Sequence, residues 1–477
     1  MRRTTFGTTA AVALICLLAG ARHATADDGV VFASDLPDFD ADWNSAYGED
    51  HAPSGSMIRL TQGTSQGGRN DTVRAGNRTA SRSARSTRVP YMIGDQFGGG
   101  NGSMDMYSDM GLDGYDVTPI SSVQSPVFGG NRFNVAEANS TLPTDRFIFS
   151  YRHLSNAFQS NIIGQSAATD IEHFVVGFEK TFLDGMGSVQ FQVPLLRQLN
   201  SDLVVYQDAF GSNLPATDRH GELGNLATTL KLLLIERQTL AIGGGVAVTA
   251  PTGDDASIVG DFDTTFPLAN NPAVNATAPS SFFFEGYFPN HTVNLVPFLA
   301  WAYHPANGFF HQGFLQVDAP LNSSPARVVA QGTITPDAIY DEETFDVDME
   351  GRIKQRTLLR ANLSFGYWFQ RGSRNSIVQG VAGLFEAHYT HALDDPNSLI
   401  VPVATFTDPS TTYDPFSVNI TAGGPGGNVD IVNLSTGFVI DMGSCQITNG
   451  VIVPVSGNGR DDRAFDFEYN LQVNRFF

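Results

Sequence analysis

"TLLRANLSFGYWF" (Thr357–Phe369) alternates through nearly its whole length. Leu359, Ala361, Leu363, Phe365, Tyr367 and Phe369 fall on one face of an extended chain, and Arg360, Asn362, Ser364 and Gly366 fall on the other. Successive side chains of a strand point to opposite faces, so this period of two reads as a strand with one apolar and one polar side. The same grammar recurs in "VDIVNLSTGFVIDM" (Val429–Met442), in "GSVQFQVPLL" (Gly187–Leu196) and at the C-terminus, "FDFEYNLQVNRFF" (Phe465–Phe477). In the last of these Phe465, Phe467, Tyr469, Leu471 and Val473 alternate with Asp466, Glu468, Asn470, Gln472 and Asn474. What the aromatic face meets, water or hydrocarbon, decides the fold.

Working outward, twelve such segments can be marked, near 146–155, 171–182, 188–195, 223–235, 239–249, 292–303, 309–319, 357–369, 377–391, 429–442, 447–455 and 465–477. Most run ~9–13 residues, enough for a tilted strand to cross a bilayer. "LDGMG", "ERQ", "HPANG", "QRGSRNS" and "GSCQ" are tight connections after the even-numbered segments, whereas the odd-numbered ones are followed by roughly 9 to 42 residues rich in Pro, Asp, Asn and Gly. A soluble sandwich has no reason to sort tight turns to one end and long connections to the other. A barrel of the bacterial outer membrane does. Hydrocarbon offers no partner to a backbone N–H or C=O, so the sheet has to close, the last segment pairing with the first. The expected fold is therefore all-β, a closed antiparallel transmembrane barrel of about 12 strands. Ten to 14 remain open, since "SPARVVAQGTI" (Ser324–Ile334) is a further candidate strand.

The bulk properties agree. Arg2 and Arg3 precede "AAVALICLLAG" and Ala24-Thr25-Ala26, which reads as a secretory signal over 1–26. Its removal takes Arg2, Arg3 and Arg22, moving the net charge from −21 to −24. So acidic a chain lacks the basic footprint of a nucleic-acid binder. Cys445 is then the one cysteine left, so no intrachain disulfide can form. Beyond the signal no stretch approaches the ~20 apolar residues of a spanning helix. Residues 27–143 differ in kind, rich in Gly, Ser and Asn and largely irregular, and read either as a periplasmic tail or as a plug, with their second half ordered at the mouth of a barrel over 144–477. The expected location is the outer membrane of a bacterium with a diderm envelope.

The stretch "GELGNLATTLKLLLIERQTLAIGGGVAVTAPTGDD" (Gly221–Asp255) resembles the core hairpin of the phenol-degradation-pathway (MetA-type) family of transporter-like outer-membrane proteins, through its Gly-Glu-Leu-Gly entry, Lys231, Gly-rich strand and Pro-Thr-Gly-Asp exit. The resemblance implies a channel or transporter for small molecules, hydrophobic or aromatic ones among them. A terminal Phe477 behind alternating apolar residues also resembles the assembly signal of outer-membrane proteins, which implies the barrel-assembly machinery as a partner beside membrane lipid and a small-molecule solute; Arg475 departs from that pattern.

By parity the pore-lining residues are Arg146, Arg152, Arg360, Glu386, His388, Asp466 and Glu468, with Arg146 and Arg152 set to face Asp466 and Glu468 across the closing seam. Opposed charge rows would tune selectivity or, equally, pair and stiffen the wall. "YRHLSNAF" carries the alternative, an outer-membrane lipid hydrolase: His153 and Ser155 share a strand face, so the imidazole could take the hydroxyl proton, but the sequence identifies no orienting acid, Asp170 and Glu172 being no more than guesses. A structural or surface-interaction barrel is the third reading. "GTSQG" (Gly63–Gly67) lacks the strand and helix of a nucleophile elbow, and "FGGGNGSMD" lacks the Lys of a phosphate loop. Acidic runs at Asp254, Asp255, Asp261 and Asp263 and at Tyr340–Glu350 read as solvated loops, with divalent-cation bridging or repulsion of anions as the functional alternative; Asp105, Asp109, Asp113 and Asp116 match no calcium-loop spacing and no His or Cys cluster has metal-ligand spacing, so neither a metal nor a cofactor is expected.

Overall fold

The computed structural model describes residues 89–95, 102–109, 118–125, 132–162, 165–197, 202–207, 213–217, 221–267, 277–305, 307–334, 343–372, 376–406, 416–423, 430–455 and 465–477. The signal, "GTSQG", Asp113 and Asp116 lie outside them. Strands are numbered in chain order.

Each of the twelve alternating segments is a barrel strand. They are β3 (Arg146–Ile162), β4 (Gln165–Phe182), β5 (Gly187–Arg197), β9 (Leu226–Glu236), β10 (Leu240–Ala250), β13 (Asn294–Tyr303), β14 (Phe309–Pro320), β17 (Leu358–Arg371), β18 (Gly380–Ala392), β21 (Asp430–Asp441), β22 (Cys445–Pro454) and β23 (Phe467–Phe476). Every neighbouring pair is antiparallel, and β23 closes on β3 in a register running from Phe467↔Ser155 to Phe476↔Arg146. Closure leaves no sheet edge bare, the condition for placing this much backbone in hydrocarbon. Phe147, Val176, Leu299, Phe365 and Phe385 are exposed on the outer face, whereas Arg152, Gln190, Ser364, Glu386 and Gln472 are fully buried within. A soluble barrel would carry the reverse pattern, so the chain is a transmembrane barrel of the outer-membrane type. The tight connections gather at one end with the C-terminus. There Leu183, Asp184 and Gly185 turn β4 into β5 with φ of 50°, 54° and 80°, and the Phe147 and Phe477 rings meet at 4.9 Å.

The long connections at the other end are not irregular. They carry β6 (Asp202–Gln207), β7 (Asn213–Thr217), β8 (Gly221–Leu223), β11 (Ala256–Pro267), β12 (Thr277–Phe288), β15 (Ser324–Ile334), β16 (Glu343–Ile353), β19 (Leu399–Phe406) and β20 (Phe416–Gly423). "SPARVVAQGTI" is thus a strand, but not of the barrel. In order β16-β15-β12-β11-β6-β7 they make a six-stranded sheet, with β11 parallel to β6. A second ladder, β19-β20-β1-β2-β3, is completed by β1 (Gly102–Asp109) and β2 (Thr118–Ser125) from the N-terminal extension. The two parts meet where β16 lies against β19, and together form a crown beyond the barrel rim. Its inner face is apolar: Met104, Ile258, Phe284, Val328, Phe345, Val418 and Ile420 share one buried core. The acidic run of β16 alternates with that core, so Asp346, Asp348 and Glu350 face solvent. Asp348 accepts two hydrogen bonds from Arg327 (2.8 and 2.6 Å), which hold its carboxyl below the ordinary range.

One strand turns from barrel to crown at a visible break. The β3–β4 register shifts between Leu154 and Phe158, and Asn156 adopts a left-handed φ of 54°. Asn tolerates that conformation better than most residues. Here it is latched on both sides, its N–H donating to Asp170 (3.0 Å) and its Nδ2 to Asp466 (2.5 Å). Below the bulge β3 pairs with β23; above it, with β2.

Candidate functional site: the threaded lumen

Twelve strands leave more room than an eight-stranded barrel, whose side chains fill it, and less than the open channel of 16 strands. That room is taken by two stretches of the N-terminal extension. Residues 89–95 run from the turn end toward the crown, and residues 132–144 return to enter β3; all of 89–95 are buried. The two run antiparallel in contact, with Met92 N–H donating to Asn139 O (3.0 Å) and Asn134 Nδ2 to Asp95 O (2.6 Å). A Cβ on Gly94, whose φ is +72°, would lie 2.5 Å from the Glu137 Cα, so glycine is required where the stretches cross.

Neither stretch has a sheet to satisfy its backbone, and the lumen wall supplies the partners instead. Tyr91 N–H donates to Gln446 (3.1 Å), and Gln312 donates to Pro90 O (2.6 Å). The Glu386 carboxylate accepts from the N–H groups of Ile93 (3.1 Å) and Gly94 (3.0 Å). Ile93 O accepts from Arg152 (2.8 Å) and Gln472 (2.7 Å), and Val135 N–H donates to Gln316 (2.9 Å). Buried backbone groups left unpaired would each cost about 1–3 kcal/mol, so this match of wall to thread holds the stretches in place.

Two ionic clusters tie the thread to the wall. Arg152 sits between Glu137 of the thread (2.8 Å) and Glu468 of β23, all three buried. Glu179 of β4 binds Arg146 (2.8 Å) and Lys231 (3.0 Å), while Lys231 also donates to Asn139 and Ser140 of the thread (2.7 and 3.0 Å). The Arg146 guanidinium in turn lies 4.0 Å over the Tyr91 ring. Such a position adds a cation–π attraction to the ion pair.

Of the parity-predicted residues, the structure places Arg146, Arg152, Arg360, Glu386, His388 and Glu468 inside the lumen, buried. Arg152 meets Glu468 across the seam, but Arg146 meets Glu179 rather than Asp466. Asp466 lies at the rim, bound to Asn156 of the bulge. His388 bonds Asn362 (2.8 Å) and lies 3.3 Å from Glu386, on which the Ile93–Gly94 turn rests. On the outer face, His153 Nε2 is 3.8 Å from Asp170 and Ser155 adjoins the bulge. Among the described residues no group of His, Cys, Asp and Glu has the arrangement of a metal site.

Sequence reasoning missed Glu179, Gln312, Gln316 and Gln446. All four obey the parity rule and could have been read from it. Glu137 carries no such signal, because the thread has no period.

Glycines shape the wall to the thread. Gly437 of β21 pairs with Gly450 of β22, and the Ile93 side chain fills the hollow: a Cβ on Gly450 would lie 2.6 Å from Ile93 Cδ1. Likewise a Cβ on Gly243 of β10 would lie 3.0 Å from Thr141 O. Gly450→Val should therefore push Ile93 off its seat and lower the unfolding free energy by about 1–3 kcal/mol, the usual penalty of overpacking. Urea titration of the refolded protein, followed by tryptophan fluorescence, reads this directly; an unchanged midpoint would mean the thread is not seated there.

No family model matches the chain, and no curated protein matches it. Among solved structures, the Pseudomonas putida toluene transporter TodX aligns at 8% identity and a TM-score of 0.36, covering 70% of this chain and 90% of its own. The Ralstonia pickettii toluene transporter TbuX aligns at 10% identity and a TM-score of 0.30, again over 70% and 90%. The β domain of the Bordetella autotransporter BrkA aligns at 10% identity and a TM-score of 0.26, over 70% and 99%.

Proposed function

We propose that this protein is an outer-membrane transporter-like barrel, closed at rest by its own N-terminal thread, that passes small hydrophobic molecules, aromatic ones among them. The observation that carries the reading is the stacking of an apolar-cored crown on a polar, ion-paired lumen. A hydrophilic solute needs a continuous wet path, and here the wet cross-section is occupied by the thread. An apolar solute can partition into the crown core, where burial is favourable by about 25 cal/mol per Å² of its surface. The Gly221–Asp255 resemblance to the phenol-degradation-pathway (MetA-type) family points the same way. In that setting Arg146, Arg152, Arg360, Glu386, His388 and Glu468 serve to hold the thread and to tune what moves past it, rather than to line an open pore. Membrane lipid and the assembly machinery acting on the strand that ends at Phe477 are the proposed partners.

Uptake tests this. Diderm cells carrying the protein should accumulate a labelled monoaromatic hydrocarbon faster than cells with empty vector, while uptake of a labelled disaccharide should not change. Equal rates for the hydrocarbon would remove the transport reading. Lipid hydrolysis is the second reading, favoured by the approach of His153 Nε2 to within 3.8 Å of Asp170 beside the bulge that Ser155 adjoins, and ester cleavage by the purified barrel would support it.

A further inference from the structure

The lumen wall engages the thread unevenly. On β14 and β22, Gln312, Gln316 and Gln446 each bond a backbone group of residues 89–95 or 132–144. Farther round, β5, β9, β10 and β13 carry neutral polar side chains that the thread leaves alone. Gln190 and Gln192 of β5, Thr229 of β9, Thr249 of β10 and Asn294 of β13 are all at most 2% exposed. Among the described residues, no hydrogen-bond partner reaches Oε1 or Nε2 of Gln190, Oε1 of Gln192, Oγ1 of Thr229 or Thr249, or Oδ1 or Nδ2 of Asn294.

The register makes one patch of them. Gln190 pairs with Thr229, Thr229 with Ala247, and Ala247 with Val296. One step toward the crown, Gln192 pairs with Ala227, Ala227 with Thr249, and Thr249 with Asn294. Ala247 and Val296 share a buried apolar cluster with Met92, Val135 and Ala136 of the thread. The thread therefore meets this wall through apolar side chains, which cannot bond its amides and hydroxyls.

Buried polar groups are paired as a rule, and each exception calls for a cause. The patch itself carries no charge, and Glu179, the neighbour of Gln190 on β4, is already bound to Arg146 and Lys231. Nothing here favours an ion. Idle donors and idle acceptors stand together, which suits a group that can both give and accept, a hydroxyl. The methyl groups of Ala227, Ala247 and Val296 between them suit an apolar body.

We infer that this wall is a binding site for a small uncharged alcohol, its hydroxyl bonded by the amides and hydroxyls of the patch and its hydrocarbon body laid on Ala247 and Val296 as the returning stretch lifts. The inference rests on the transport reading for the solute's arrival, and names the class of solute that halts beside the thread.

The full chain, refolded in an amine-oxide detergent, is photolabelled with two probes of one carbon skeleton, a diazirine-bearing alkanol and the corresponding diazirine alkane, and the adducts are mapped by peptide mass spectrometry. The alkanol should label the segments around Gln190, Thr229, Thr249 and Asn294 saturably, and excess cyclohexanol should suppress that labelling more than cyclohexane does. Gln190→Leu and Asn294→Leu should each lower it roughly 3–10-fold, the worth of a neutral hydrogen bond. Thr249→Val, which keeps the shape of the side chain, should act in the same direction without disturbing the packing. Equal labelling by the two probes, or labelling undiminished in all three variants, would overturn the site. Adducts on lipid-facing segments alone would overturn it too, leaving the patch to ordered water. The two readings fail separately: wild-type cells that take up no hydrocarbon would remove transport while the labelling stood, and absent labelling would remove the site while uptake stood.

Discussion

Arg152→Leu should destabilise the folded barrel by about 3–5 kcal/mol, the usual consequence of removing one partner from a buried charge cluster. The size follows from what is stranded. Glu137 and Glu468 would both lose their cation, and Ile93 O one of its two donors. A lone Arg–carboxylate pair at the surface would be worth ~1 kcal/mol or less; burial makes the difference. The effect should be read as a lower urea midpoint, with Arg152→Lys intermediate because an ammonium cannot fork between two carboxylates. The double variant Arg152→Leu/Glu468→Leu should recover part of the loss, since it replaces a stranded charge by apolar volume. A midpoint unmoved by Arg152→Leu would mean the cluster does not bear on folding.

The second large effect is on conductance. In planar bilayers the intact protein should be electrically silent, because both thread stretches occupy the lumen and their polar atoms are engaged with the wall. A chain lacking residues 89–143 should show discrete, voltage-stable steps, provided the heat-modifiable gel shift of a closed barrel is retained. What remains is a lumen faced by Arg, Glu, Gln and Asn, wide enough for hydrated ions at twelve strands. Silence from a demonstrably folded deletion would show that the wall itself collapses inward, and the thread would lose its role as the closure. Steps of equal size from the intact protein would show the thread to be displaced under voltage.

The barrel was legible because hydrocarbon imposes a strict period. Leu363, Phe365 and Tyr367 against Arg360, Asn362 and Ser364 leave no second way to set that strand, and the same logic put Arg152 and Glu468 on one face across the seam, where they form an ion pair. The crown was harder to read. Its strands are built like those of a soluble sheet, with Phe345 and Val347 inward and Asp346 and Asp348 outward, and their acidic alternation looks in sequence like a solvated loop. The partner of Arg146 was misjudged because parity fixes a face and not a height: Asp466 shares the lumen parity but sits at the rim, whereas Glu179 is level with Arg146 as its cross-strand neighbour. The path of the thread was beyond reach. Its conformation is dictated by Glu386, Gln312, Gln446 and Arg152, residues scattered along the sequence from 152 to 446, and by glycines whose purpose is visible only once Ile93 lies on them.

The hairpin of β1 and β2 gives the protein a mechanical property. The chain enters the lumen at the turn end, opens into two strands bonded to β20 and β3 beyond the far rim, and comes back through the same hole. It behaves as a toggle bolt does in a wall, its wings unfolded on the blind side. Tension applied to the N-terminal end would load the β1–β20 and β2–β3 ladders in shear before it could draw the thread out. The order of construction is constrained as well. A hairpin that spans the hole from both sides is most simply installed while the hole is still open, so the β23–β3 seam should be the last join made, with the bolt already through.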